Sequence, residues 1–358
     1  MGTRTNDFEL TLLAGAVGET PLPPRLNTAA PATELGPSET PDAYGMDLSN
    51  DGLIGKGSIP TSTARVVKTV TIDSQLYSWH YKRLWGISGT TLIVGAQNYD
   101  NVYYQQGPDI PFNEDAQSIL DVVPFGPDFL FIPKSTGGYA LQNCGDSRGS
   151  ILFQRSDIIQ EAKVGAADRI VELNGNVYVS NDKGLMMLDS NLRTTEMTRA
   201  VRNAISTLGF PSLALTADYQ KRYVIGGSSF VLDTETGSIF RYSGSSFLFT
   251  TRQFHRADYS PFNVDRLVFV VEHTSTSKGT MKVQIKLNDQ AYGKKFNVPI
   301  PYTNQNQTRI VVPFGLGDAD RANTRTFQLK ITSISSGKFI KQIWMDSQQL
   351  TYDDGFGA

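Results

Sequence analysis

Ile170-Val171-Glu172-Leu173-Asn174-Gly175-Asn176-Val177-Tyr178-Val179-Ser180-Asn181-Asp182-Lys183-Gly184-Leu185-Met186-Met187-Leu188 reads as strand, turn, strand, turn, strand. An Asn-Gly pair favours the two positive-φ positions that a two-residue hairpin needs, so a type I′-like turn and antiparallel neighbours are expected. The plan recurs at 222–242, with Gly226-Gly227 and Asp233 to Gly237 as its turns. Related apolar cores stand at 91–95, 129–133 and 268–270. Taking Ile93, Phe131, Tyr178, Val224 and Phe269 as equivalent gives spacings of 38, 47, 46 and 45 residues. A four-stranded sheet with its turns takes about 40 to 50 residues, so the spacing is that of a propeller blade.

Leu84 to Val94 reads as two strands joined by a Ser88-Gly89 turn, and Asn101-Val102-Tyr103-Tyr104 as the next strand. Strands opening near Ala64 can complete the last blade, so five and six blades both fit. Met197, Val201, Ile205 and Leu208 recur at helical spacing, which predicts one helix over 193–208, stopped by Gly209 and Pro211. After Val271 the rhythm changes. Met281, Val283, Ile285 and Leu287 alternate with Lys282, Gln284 and Lys286, the pattern of a strand with one wet face. The expected fold is all-β: a β-propeller-like repeat array over 61–275, a β-sandwich-like region over 276–358, and a Pro-rich extended N-terminal arm over 1–60.

The arm holds seven of the 17 prolines, which excludes helix interiors and central strands there. Phe8, Leu12 and Leu13 supply apolar anchors for an extended segment lying along another subunit. Residues 1–60 carry three basic and eight acidic side chains, formal −5, and residues 278–350 carry eleven basic and four acidic, formal +7. That asymmetry marks Lys282, Lys286 and Lys330, on one sheet face, as assembly candidates. The whole chain is nearly neutral at −2, so direct nucleic-acid binding is not expected.

Cys144 is the only cysteine, which excludes an intramolecular disulfide and a cysteine-ligated metal site. No apolar run approaches the roughly 20 residues of a membrane span, and no signal peptide is read, so synthesis in a cytoplasm is expected. His80, His255 and His273 are scattered, with no metal-ligand spacing. Lys56-Gly57-Ser58 lacks the upstream glycine of a phosphate loop. Asp47 to Gly52 has half a calcium loop, with Ser58 where the bidentate Glu belongs. Asp318, Asp320, Asp353 and Asp354 read as loop carboxylates, and no GxSxG occurs. No catalytic residue, cofactor or metal is assigned. Trp79 to Trp85 interleaves aromatic and basic groups, read as sheet packing with Lys82 and Arg83 on a turn.

Glu34-Leu35-Gly36-Pro37-Ser38-Glu39-Thr40-Pro41-Asp42-Ala43-Tyr44-Gly45-Met46-Asp47-Leu48-Ser49, with Tyr81-Lys82-Arg83-Leu84-Trp85-Gly86 and Gly89-Thr90, resembles the leader and first blade of tailed-bacteriophage structural proteins of the β-propeller type. The resemblance implies a non-enzymatic, homo-oligomeric virion subunit of the tail or head-to-tail connector, partnered by other phage structural proteins and made in the host cytoplasm. Two other classes are weighed beside it. One is a receptor- or glycan-binding propeller using exposed aromatics such as Tyr99, Tyr103 and Tyr139. The other is a glycoside hydrolase, which needs two carboxylates about 5 to 9.5 Å apart in a central cleft.

Overall fold

The structure is a computed structural model. It describes chiefly residues 69–97, 109–144, 153–199, 212–242, 246–255, 261–303, 305–313 and 324–349, apart from one or two residues within some of these, with short pieces at 8–11, 25–26, 39–40, 42–44 and 54–56. The chain divides into two compact units, 60–237 and a second built from 1–59 together with 238–358. The division differs from the expected boundaries at 60 and 275.

Residues 60–237 carry the propeller-like array. The first sheet runs Ile110–Pro111, Thr91–Gln97, Arg83–Ser88, Gln75–His80, Thr69–Ile72. The second runs Val123–Phe125, Phe129–Pro133, Gly138–Gln142, Gln154–Arg155, and the third Ile170–Leu173, Asn176–Asn181, Gly184–Leu188, Thr194–Glu196. Leu215–Asp218, Tyr223–Gly226 and Phe230–Asp233 form the fourth within this unit. Every pairing among these is antiparallel, each strand beside its sequence neighbour.

Local turn chemistry explains the meander. Asn174 and Gly175 have φ of 56° and 78°, the left-handed pair of a type I′ turn, and Leu173 faces Asn176 across it. The first-blade hairpin turns one residue later than expected. Ser88 still pairs with Thr91, and Gly89, at φ 60°, with Thr90 makes the corner.

Each blade is apolar on both faces, as stacking requires. Leu130, Ile132, Tyr139 and Leu141 pack with Trp85, Leu92 and Val94 of the first blade. The alternate residues Phe131 and Ala140 pack with Val177, Val179 and Met186 of the third. Period-two alternation thus feeds two inter-blade cores from one sheet.

Three expectations are corrected. Val268-Phe269-Val270 is no fifth blade, because Phe262–His273 belongs to the other unit and pairs with Lys338–Gln349 and Gln307–Pro313. Four sheets, in place of five or six, are seen among the described residues of 60–237. Where a helix was expected, Thr194–Glu196 is the edge strand beside Gly184–Leu188, since unpaired ladder groups on that edge outweigh a weak helical period. Residues 200 and 202–208 of that helix, and the expected strand 101–104, lie outside the described residues.

The second unit holds two sheets. One joins Phe8–Thr11, Lys338–Gln349, Phe262–His273 and Gln307–Pro313, with Ile54–Gly55 also on Lys338–Gln349. The other includes Asp42–Tyr44, Leu248–Thr250, Thr326–Ile334, Gly279–Leu287 and Phe296–Ile300. Segments of the N-terminal sixty residues therefore add strands to their own chain's sheets: Phe8 faces Ser347, and Ala43 faces Phe249. Met281 and Val283 are buried and Lys282 exposed, as the alternation predicts, while Ile285 and Leu287 are only half-buried.

Candidate active site

The opening strands of the second, third and fourth sheets lie beside one another, Val123–Phe125 against Ile170–Leu173 and that against Leu215–Asp218. A cavity of about 340 Å³ forms where they meet the first sheet, and Ser78, His80, Trp85, Asp121, Glu172 and Tyr219 are among the residues lining it. The volume is at the lower end of the roughly 300–1,000 Å³ of small-ligand sites.

Each polar group is placed by a local device. Glu172 interrupts the apolar run Ile170–Leu173, and its Oε1 accepts a hydrogen bond from the Gly175 N–H at 3.0 Å, so the type I′ turn also holds the carboxylate. Asp121 precedes the second blade, and its Oδ1 accepts from the Val122 N–H at 2.7 Å. Burial pushes the Asp121 carboxyl above the ordinary aspartate range, and the single N–H bond only partly opposes it. Asp218 caps its turn by accepting from the N–H groups of Gln220 and Lys221 at 3.1 and 3.2 Å, which sets Tyr219 at the cavity. Buried His80 accepts through its carbonyl from Trp85 Nε1 at 3.1 Å, tying two lining residues together.

The arrangement joins a carboxyl whose pKa burial raises, the Glu172 carboxyl on the strand Ile170–Leu173, and apolar walls from Leu76, Ile87 and Trp85. Two carboxyl groups on one cavity, one of them with its pKa raised by burial, is an arrangement that general acid–base chemistry uses. Sequence reasoning missed both carboxylates. The available signal was Glu172, a charged residue inside an otherwise apolar inner strand.

The groups singled out in the sequence fall elsewhere. Tyr139, taken as an exposed loop aromatic, is 4% exposed and packs on Phe112 at 5.1 Å, so that assignment is corrected: its strand is central and both faces are covered. Tyr99, Tyr103, Leu12 and Leu13 lie outside the described residues, as do Asp318, Asp320, Asp353 and Asp354. Lys282, Lys286 and Lys330 do share one sheet face, Lys330 opposite Gln284 and Lys286 opposite Gln328. Arg83 is not on a turn; it is buried on a strand, donating to the Gly95 carbonyl at 3.1 Å. Cys144 is buried, its thiol bonded to the Leu141 carbonyl at 3.1 Å and its pKa pushed far up by burial, so it is no nucleophile. Among the described residues no three His, Cys, Asp or Glu groups are placed to hold a metal, and no helix is long and apolar enough to cross a membrane.

No protein-family model and no curated protein matches the chain. Among solved structures it is similar to an exo-β-1,3-galactanase from Phanerochaete chrysosporium, at 12% identity and TM-score 0.26, over 81% of this chain and 84% of that one. A glycoside hydrolase family 43 arabinoxylan arabinofuranohydrolase from Bacillus subtilis matches at 12% identity and TM-score 0.28, over 86% and 83%. Trypanosoma rangeli sialidase matches at 10% identity and TM-score 0.22, over 84% and 70%.

The expectation of a non-enzymatic virion subunit of the tail or connector is corrected here. These neighbours are glycosidases and a sialidase, none a phage component. No catalytic residue is assigned from the sequence, whereas Asp121 and Glu172 both line one cavity. At TM-scores this low the likeness carries no argument about chemistry, which rests on the cavity itself.

Proposed function

We propose that the chain is a hydrolase that cleaves a glycosidic bond in the cavity between the blades. The observation that supports this reading is the pairing of Asp121, a carboxyl raised by burial, with Glu172 on one lined cavity. Protonated Asp121 gives its proton to the glycosidic oxygen as the C–O bond breaks. Glu172 accepts the proton of the water that adds to the sugar carbon, or itself attacks that carbon before water releases it. Leu76, Ile87 and Tyr219 offer apolar surface to the C–H faces of a sugar ring, and Ser78 a hydroxyl to its polar edge. Nothing in this chemistry calls on a metal.

The test is hydrolysis of a panel of aryl glycosides by the full chain, compared with Asp121→Asn and Glu172→Gln. Turnover that both substitutions reduce by roughly 10² or more supports the reading. Absence of turnover across the panel, or turnover that both variants retain, overturns it.

A further inference from the structure

A second cavity, of about 370 Å³, lies in the unit formed by 1–59 and 238–358, and Lys56, Lys295, Lys330, Gln284, Thr332 and Ser333 are among its lining residues. No carboxylate lines it. The three lysines come from segments far apart in the chain, one following Ile54–Gly55, one preceding Phe296–Ile300 and one within Thr326–Ile334. Elsewhere in the chain Lys163 has an acidic partner in Asp182 and Lys341 in Glu272. Among the described residues no carboxylate lies within ion-pair distance of Lys56, Lys295 or Lys330.

Gathering like charges around one cavity is unfavourable unless something negative enters it. The local structure also shapes the site. Val283 pairs with Ile331 but Lys282 pairs with Ser333, so Thr332 is the extra residue of a β-bulge, a device that re-aims side chains at functional positions. Thr332 is among the lining residues, although its Oγ1 is shielded from solvent. Lys330 is held by the Tyr292 ring, 4.9 Å from its Nζ, and Gln284 by donation to the Gly293 carbonyl at 3.0 Å. The lining is therefore cationic, hydroxyl-rich and partly fixed.

We infer that this cavity binds a small polyvalent oxyanion of the phosphate or sulfate class, held by Lys56, Lys295 and Lys330. Lysine suits the task as a point charge that does not demand a planar partner. The inference is independent of the hydrolase reading, since all of its residues lie in the other unit.

The experiment is calorimetric titration of the full chain with sodium phosphate and with sodium sulfate, at ionic strength held constant with sodium chloride. Saturable one-to-one binding is expected. Lys330→Gln should weaken it about ten-fold, the loss of one charge-assisted contact, and the triple variant Lys56→Gln, Lys295→Gln, Lys330→Gln should abolish it. Lys278→Gln, at an exposed position away from the cavity, should leave it unchanged. A hexose 6-phosphate distinguishes the source: tighter binding than inorganic phosphate places the anion on a larger ligand, equal binding places the free ion there, and both uphold the site. No heat beyond the chloride control, equal effects of Lys278→Gln and Lys330→Gln, or undiminished binding by a triple variant with the wild-type melt would overturn it.

Discussion

Phe230 lies over Gly226, its cross-strand partner, and its ring fills the space that a β-carbon on Gly226 would need. The device recurs. Tyr77 covers its partner Gly86, where an added β-carbon would lie 2.7 Å from the tyrosine ring, and Phe131 covers Gly138 in the second blade. Three blades thus place an aromatic ring against a glycine, which shields the bare backbone.

Gly226→Ala and Gly138→Ala should each destabilise the fold by about 1–3 kcal/mol, because Phe230 and Phe131 are fully buried and have no open volume to move into. Urea melts measure the effect. Gly237→Ala is the contrast: no neighbour crowds it, so its cost reflects only a positive φ of 68° and should be near 1 kcal/mol.

Acid should weaken the second blade through Asp115. Burial alone would raise its pKa, yet hydrogen bonds from Lys134, Thr136 and the Gln117 N–H hold it at about 2. A carboxylate depressed in the folded state contributes stability above its unfolded pKa, and that contribution disappears as pH falls from about 4 toward 2. After allowance for solvent screening it is on the order of 1–2 kcal/mol. Asp115→Ala should remove this acid limb. It should also cost about 3 kcal/mol at neutral pH, since the fully buried Lys134 ammonium would keep only the Phe112 carbonyl among its present partners.

His273 and Lys338 set a second pH response, in the other unit. Lys338 Nζ lies 3.1 Å from His273 Nδ1 and donates to the Ser275 carbonyl at 2.5 Å, while His273 Nε2 is 2.8 Å from the Thr308 hydroxyl. Burial first, and then the Lys338 charge, lower the histidine pKa. The unfolded chain therefore binds the proton more readily, and stability should fall as pH drops from about 7 through the ordinary histidine range. Denaturant melts at pH 7.5 and 5.5 should differ less for His273→Gln than for the unaltered chain.

Catalysis by the cavity between the blades should decline as pH rises through the elevated Asp121 pKa, because the proton donor is then lost. The alkaline limb of kcat/KM measures that pKa. Asp121→Asn should remove the limb along with most of the rate, whereas Ser78→Ala should raise KM by a few-fold and leave the limb where it is.

The Asn174-Gly175 corner, the alternation within each blade and the spacing of the apolar cores were legible in the sequence because each is decided by residues within about ten positions. Turn geometry and side-chain period are local properties, and they suffice to specify an antiparallel meander and its repeat. The same reading extended the repeat to Phe269, where the local pattern of a strand is unchanged but its partners are not. Phe269 faces Ile310 and Ile343, pairings that only the folded chain selects.

By itself, then, the sequence determined an all-β chain of stacked meander sheets, through turn chemistry and period-two burial. The tertiary structure alone decided the rest. Asp121 and Glu172 line one cavity because blades pack side by side, and Lys56 joins Lys295 and Lys330 at another because strands from opposite ends of the chain belong to one unit. Beyond Glu172 within an apolar strand, neither convergence leaves a local mark: a charged residue on a strand has much the same short-range pattern whether it faces water or a cavity, and only inter-sheet packing distinguishes the two.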